Sequence, residues 1–426
     1  MGERARFQGL AGRGGEEAVG GNITEVIMET RLALVSGALL LCALRPACAV
    51  PVLDEAARKA IDRVVQESIA KHDTPSCVVV IGSRDQVLFA KAYGHFTYNV
   101  DSPLVTLDTP YDMASCSKAV GTATATALLL QDGKLRLDDP VSKYLPWWDR
   151  DDKRAITVRN LITHTSGLAA YTSSANAEKL RTEDETHADA LIKYIASMPL
   201  KYETNKGRLY ACLNFLTLAR VNEEAAGVSQ ETLLRKRVFR PLGMLNTGYY
   251  LSISKKQLCP PTSRAPDSQG NVHDPLANYY RDGYHCPGNA GLFASGNDLA
   301  RFCQMILADG KWEGKQVLAP ETVEMLFTNQ ILNQPKQSWG LGWGLSRNRR
   351  APRSIKLTSK TATISHSGYT GTSVEIDRYS GTFIVILTNR VYPDDSTNVN
   401  ALKSGVRAAV YGADPAYEQP TEETKL

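Results

Sequence analysis

Apolar and polar positions repeat along this chain with two periods, and the order of those periods outlines a fold. From Asp54 to Lys71 the residues Ala57, Ile61, Val64, Val65 and Ile69 form one apolar stripe at helical spacing, which predicts an amphipathic helix. Ser76–Ile81 and Gln86–Tyr93 are strand-like runs flanking Gly82-Ser83-Arg84-Asp85, which predicts a hairpin turn. Ala119–Gln131 is rich in Ala, Thr and Leu and closes on Asp132-Gly133, the pattern of a buried helix. Helical segments such as Ala188–Ala196, Leu213–Ala226 and Gly296–Leu307 then recur between Pro, Gly and Asp clusters. Strand character returns in Trp339–Leu345, Ser354–Leu357, Thr372–Ile376 and Thr382–Thr388. The last of these is apolar through its middle, as a central strand is. Ser396–Tyr411 predicts a closing helix.

This order predicts an α+β fold, an αβα sandwich. Its antiparallel sheet is built from both ends of the chain and covered by the terminal helices, with a large, mostly helical inserted lobe. The sheet lobe is expected at about 50–115 plus 336–412, the helical lobe at about 116–335, and a tail at 413–426. A site between the lobes is the expected place for chemistry. The length of 426 residues alone would allow about two or three domains. The element order favours one two-lobed body over residues 50–412.

The amino terminus stands apart. Residues 1–27 are rich in glycine and charge and have no apolar period, so they read as an over-extended leader. Met28-Glu29-Thr30-Arg31 precedes an apolar run from Leu32 to Leu44, then Arg45-Pro46 and Ala47-Cys48-Ala49. A basic residue, a short apolar core and an Ala-x-Ala site predict a secretory signal peptide over 28–49, cleaved after Ala49. The run is shorter than the ~20 apolar residues that span a bilayer, so no stable span is expected after cleavage. A retained anchor is the alternative. Six cysteines follow, Cys77, Cys116, Cys212, Cys259, Cys286 and Cys303. Export would permit disulfides, with Cys259–Cys286 the favoured pair; six buried free thiols are the other reading.

Charge narrows the function. Lys+Arg number 49 against 45 Asp+Glu, a net of +4, with no long basic run, which argues against a nucleic-acid binder. The seven histidines show no close pair at zinc spacing, and neither Gly-x-Ser-x-Gly nor a phosphate loop occurs. No metal and no organic cofactor is expected. Ser-x-x-Lys occurs three times, as Ser68–Lys71, Ser115–Lys118 and Ser252–Lys255. Ser115 alone opens a buried helix. There backbone N–H groups and the helix dipole favour a developing oxyanion, and Lys118 lies one turn on along the same face. On spacing alone, an N-cap serine followed by a solvated lysine accounts for the pair equally well.

The surrounding residues shift that balance. Met113-Ala114-Ser115-Cys116-Ser117-Lys118 resembles the first motif of the serine β-lactamase and penicillin-binding-protein superfamily. The likeness continues through Gln131–Val141, Thr157–Leu168, Phe239–Met244, Gly288–Ser295, Trp339–Gly344 and His366–Thr372, covering about 54–412. The branch it is most similar to holds class C β-lactamases, penicillin-binding carboxypeptidases and related esterases. The resemblance implies that Ser115 is the acylated nucleophile, Lys118 its activating base and Tyr210 the proton carrier of a Tyr-x-Asn motif. Cys212 stands where that motif has its amide, and a thiol is a weak donor. Asn214 is expected to point elsewhere. His366-Ser367-Gly368 takes the place of Lys-Thr-Gly, and a histidine there carries a pH-dependent charge. The amides of Ser115 and Tyr369 would form the oxyanion hole. His164 is expected to buttress the fold, and Trp339 to be core or cleft wall.

Together these imply an exported serine hydrolase, periplasmic or secreted, acting through a Ser115 acyl-enzyme. The expected substrates are peptide-like amides from cell-wall material, in D-alanyl carboxypeptidase or aminopeptidase fashion, or small esters. A promiscuous carboxylesterase or weak β-lactamase, and a catalytically silent penicillin-binding-like sensor, are the alternatives. The oligomeric state stays open.

Overall fold

The computed structural model describes residues 53–334, 336–347 and 356–412. The leader, the signal-like segment and the tail from 413 lie outside the described residues. So does the first part of the strand expected at Ser354–Leu357; its remaining residues, 356 and 357, are in no strand.

Helix α1 spans Glu55–Ala70, and the Asp54 carboxylate caps it by accepting from the Ala57 N–H at 2.8 Å. Strands β1 (Ser76–Ser83) and β2 (Val87–Gly94) follow as an antiparallel hairpin. Helices α2 (Thr124–Gln131), α3 (His187–Ser197), α4 (Cys212–Ala226) and α5 (Gly296–Leu307) come from the long middle of the chain. Then come β3 (Gly344–Arg347), β4 (Ala362–Ser367), β5 (Ser373–Asp377), β6 (Thr382–Thr388) and α6 (Asn400–Tyr411). No described helix is long and apolar enough to cross a membrane.

The six strands form one antiparallel sheet in the order β2-β1-β6-β5-β4-β3. The chain's two ends therefore meet in the middle of the sheet, where Val80 pairs with Val385. Alternation assigns each side chain to a face. Val78, Val80, Phe383, Val385 and Leu387 enter the large core that holds α2, α4 and α5. Cys77, Val79, Ile81, Ile384 and Ile386 pack with Ile61 and Val65 of α1 and Leu402 and Val406 of α6. Both faces are covered, so β1 and β6 are buried along their whole length. Gly405 allows α1 and α6 to close on each other: a Cβ there would meet Val64 Cγ2 at 2.4 Å.

Three expectations change. Lys118–Ala123 is a wider, π-helical stretch that passes into α2, with the Thr124 hydroxyl reaching back to the Ala119 carbonyl at 3.3 Å. Trp339–Leu345 is mostly a turn, because the Gly340 N–H donates to the Trp343 carbonyl and Gly342 takes a φ of +75°, leaving strand only from Gly344. The favoured Cys259–Cys286 disulfide is absent, and all six described cysteines are free. Cys259 packs with Val272, Ala277, Ala290 and Phe293, whereas the Cys286 sulfur accepts from the Glu231 N–H at 3.3 Å.

Candidate active site

Ser115 follows a two-residue strand, Tyr111–Asp112, that pairs with Phe293–Ala294. The buried Asp112 carboxylate holds this corner by accepting from the N–H groups of Ala114 and His273, both at 2.8 Å. Ala114, next to Ser115, has a φ of +43°, a strained value for a residue with a Cβ. The Lys118 N–H donates to the Ser115 carbonyl at 3.0 Å, so one turn carries the lysine beneath the serine. Lys118 Nζ lies 3.1 Å from Ser115 Oγ, 2.9 Å from the Asn289 carbonyl and 3.5 Å from Cys212 Sγ. Lys118 is fully buried, while Ser115 keeps partial access to solvent.

Tyr210 is delivered by an extended segment tied to His164. The Leu209 N–H donates to the His164 carbonyl and the Ala211 N–H to His164 Nδ1, both at 3.1 Å. His164 Nδ1 is thus an acceptor, which puts the proton of a neutral ring on Nε2. Burial pushes its ionisation well below the usual histidine range. The His164 and Tyr210 rings lie 4.6 Å apart, and Lys118 Nζ sits 4.9 Å from the Tyr210 ring centre. Asn214 does point elsewhere: its side chain meets Ser166 Oγ at 2.5 Å and His164 Nδ1 at 3.3 Å. Cys212 begins α4 and turns its sulfur to Lys118.

The third wall is the end of β4. His366 Nδ1 lies 3.0 Å from the Ser367 carbonyl and its ring 6.1 Å from that of Tyr210. Burial first, and then the Lys118 charge, push the His366 ionisation down to about 3. The imidazole is therefore neutral at ordinary pH, which corrects the expectation of a pH-dependent charge there. Ser367 is exposed. Gly368 passes so close to Met113 that a Cβ would meet its carbonyl oxygen at 2.4 Å. Tyr369 points outward, its hydroxyl on Asp395, under the Arg390 guanidinium. Among the described residues the N–H groups of Ser115 and Tyr369 donate to no acceptor. Cys116 faces away from Cys212, donating to the His366 carbonyl at 3.4 Å.

The proton inventory is shared. Burial opposes the Lys118 ammonium, while ionised Cys212 or Tyr210 would favour it, and the balance with those charges lies upward. Burial also pushes the Cys212 thiol and the Tyr210 phenol up, so both are protonated at neutral pH. The Asp274 charge also favours the ammonium, so the direction for Lys118 is upward.

Two contributors escaped the sequence reading. Asn289 supplies the carbonyl that holds Lys118, and Arg208 lies on the Trp339 ring, its guanidinium carbon 4.2 Å from the ring centre. The alternation of Arg208 with Tyr210 was the available signal for the second. Among the described residues no group of three or more His, Cys, Asp or Glu side chains could hold a metal ion. A cavity of about 490 Å³ lined by Glu231, Arg235 and Lys255 contains none of these site residues.

With this geometry in place, the comparisons decide the family. The family model described as Beta-lactamase matches residues 61–406. The chain belongs to the Beta-lactamase family. A protein of Escherichia coli (strain K12) named "Putative D-alanyl-D-alanine carboxypeptidase" is 27% identical over 374 residues, covering 79% of this chain and 84% of that one. The structure of EstCE1, titled "a hydrolase with promiscuous acyltransferase activity", matches with a TM-score of 0.67 at 21% identity, over 85% of this chain and 100% of that one. A penicillin-binding protein homologue from Caulobacter crescentus matches with a TM-score of 0.64 at 18% identity, over 83% and 97%. The antiparallel sheet with its flanking helices is thus the β-lactamase/transpeptidase-like fold.

Proposed function

We propose that this Beta-lactamase family member is an exported serine hydrolase that works through a Ser115 acyl-enzyme. Its substrates in this reading are peptide-like amides of D-alanyl carboxypeptidase or aminopeptidase type. The observation that carries it is the contact of a fully buried Lys118 Nζ with Ser115 Oγ at 3.1 Å. In its free-amine form Lys118 takes the hydroxyl proton as Oγ bonds to the carbonyl carbon. The oxyanion faces the amides of Ser115 and Tyr369. Tyr210 passes a proton to the leaving nitrogen as the C–N bond breaks, and water then attacks the ester with the same groups reversed. The name of the Escherichia coli relative supports the peptide reading, and the signal-like segment over 28–49 supports export.

A small-ester substrate is the second reading. Cys212 and the neutral His366 supply neither the amide nor the cation that would grip an acylated amino acid, and esters need less of both. The test treats purified protein with a fluorescent penicillin and with p-nitrophenyl butyrate, then repeats both with Ser115→Ala. Labelling or turnover that vanishes in the variant is expected. No reaction of the wild type with either reagent sinks the hydrolase reading, and full activity of Ser115→Ala sinks the nucleophile.

A further inference from the structure

Arg208 is a half-buried cation with no acceptor among the described residues, and its Nε is buried without a partner there. Three other arginines with little exposure are matched by carboxylates: Arg407 with Glu375 at 2.9 Å, Arg220 with Asp189 at 3.1 Å and Arg159 with Asp138 at 2.7 Å. Leaving a desolvated guanidinium unpaired costs stability, so a site that keeps one has a use for the charge.

Its placement says where that use lies. Arg208 and Tyr210 lie two residues apart in one segment, with the intervening Leu209 N–H bonded to His164. Arg208 stacks on Trp339, and the Trp339 ring lies 6.2 Å from His366 and 5.4 Å from His164. Arg208, Trp339, His366 and Tyr210 therefore form one cluster beside Lys118. A guanidinium over an indole ring can still offer its terminal N–H groups to a planar, two-oxygen acceptor. Uncharged His366 makes no competing claim on an anion.

The opposite charge in the cleft is already taken. Asp274, beside Asn289, accepts from the Ala277 N–H at 2.7 Å, Asn289 Nδ2 at 3.0 Å and the Tyr171 hydroxyl at 3.3 Å. The cleft thus holds an unmatched positive group and a matched negative one. That asymmetry suits a substrate with a free carboxylate better than one with a free ammonium.

We infer that Arg208 determines specificity by receiving a free carboxylate on the leaving-group side of the substrate, next to the Tyr210 hydroxyl. This rests on the Ser115 hydrolase reading and adds to it the residue that recognises the leaving group.

The experiment compares N-acetyl-D-alanyl-D-alanine with its C-terminal carboxamide in the wild type, Arg208→Gln and Arg208→Lys. The wild type is expected to favour the acid by about 10- to 100-fold in kcat/KM, the range of a charge-assisted hydrogen bond. In Arg208→Gln that ratio falls to about one, and Arg208→Lys regains part of it, because charge returns without the two-pronged geometry. A ratio unchanged in Arg208→Gln overturns the inference. So does an equal loss on both peptides with the ratio kept, which would make Arg208 a support for Trp339 and Tyr210. A parallel arm measures binding of acid and amide to Ser115→Ala by calorimetry. If the wild type turns over neither peptide, the hydrolase reading has failed on these substrates and this arm decides. Tighter binding of the acid that disappears on adding Arg208→Gln upholds the role of Arg208, and equal binding overturns it.

Discussion

The two sides of the sheet solve the same packing problem in opposite ways. On the side of α1 and α6, apolar side chains fill the interface and the polar groups are matched. Arg407 meets Glu375 at 2.9 Å, and the Tyr411 hydroxyl meets that of Thr382 at 3.0 Å. Around Ser115, His164 Nε2, Arg208 Nε, Asn289 Oδ1, Trp339 Nε1 and His366 Nε2 are buried without a partner among the described residues. An unsatisfied buried polar group costs about 1–3 kcal/mol. The terminal-helix side is built for stability, and the cleft side gives up stability to keep polar atoms ready for a ligand.

Four outcomes would break or sharpen that contrast, and the largest concerns the cleft. Ser115→Ala is expected to lower kcat on any accepted substrate by about 10³-fold or more. Lys118→Ala should fall nearly as far, with the double variant no lower, because the two act as one unit. Additive losses measured by steady-state kinetics would separate them.

The next effect belongs to the other side. Arg407→Ala leaves Glu375 buried beside β6 and is expected to cost about 3 kcal/mol in urea unfolding, with kcat/KM unaltered. A large activity loss at full stability would contradict the division between the two sides.

The third is pH. His366 is held neutral in the folded protein down to about 3, whereas an unfolded histidine takes its proton near 6.5. Between those values the unfolded chain binds the extra proton, so stability falls as the pH drops from about 6.5 towards 3, by at most about 1.4 kcal/mol per pH unit for this group. Urea midpoints at pH 7, 5 and 4 should show a shallower decline in His366→Gln, and an identical decline would remove His366 from the account. The smallest effect is at Cys212. Cys212→Asn restores an amide and is expected to speed fluorescent-penicillin acylation by about fivefold, the worth of one hydrogen bond. No change would make the thiol immaterial.

How much of this was legible depends on how far apart the cooperating residues lie. α1, β1, β6 and α5 follow from apolar periodicity, and their observed limits differ from the expected ones by at most two residues. β4 escaped because Ala362-Thr363-Ile364-Ser365-His366-Ser367 is small and polar, and only pairing with β3 and β5 makes it a strand. In the cleft, the Ser115–Lys118 pair could be read because both residues share one turn. The ties of Lys118 to Asn289 and of Tyr210 to His164 could not, since they join distant segments. The Cys259–Cys286 expectation failed for the same reason: nearness in sequence did not bring the two sulfurs into one packing environment.

The sequence by itself determined the local structure: the helical stripe of α1, the continuous apolar runs of β1 and β6, and the one-turn spacing of Ser115 and Lys118. These depend on side chains a few positions apart and on backbone geometry alone. Only the tertiary structure decided that Lys118 is sealed from water, that His366 is neutral and that Arg208 meets no acceptor among the described residues. Each is a matter of solvation and of partners contributed by remote parts of the chain. Ionisation and hydrogen bonding in a low-dielectric cleft depend on everything that surrounds a group, whereas periodicity depends only on its neighbours along the chain.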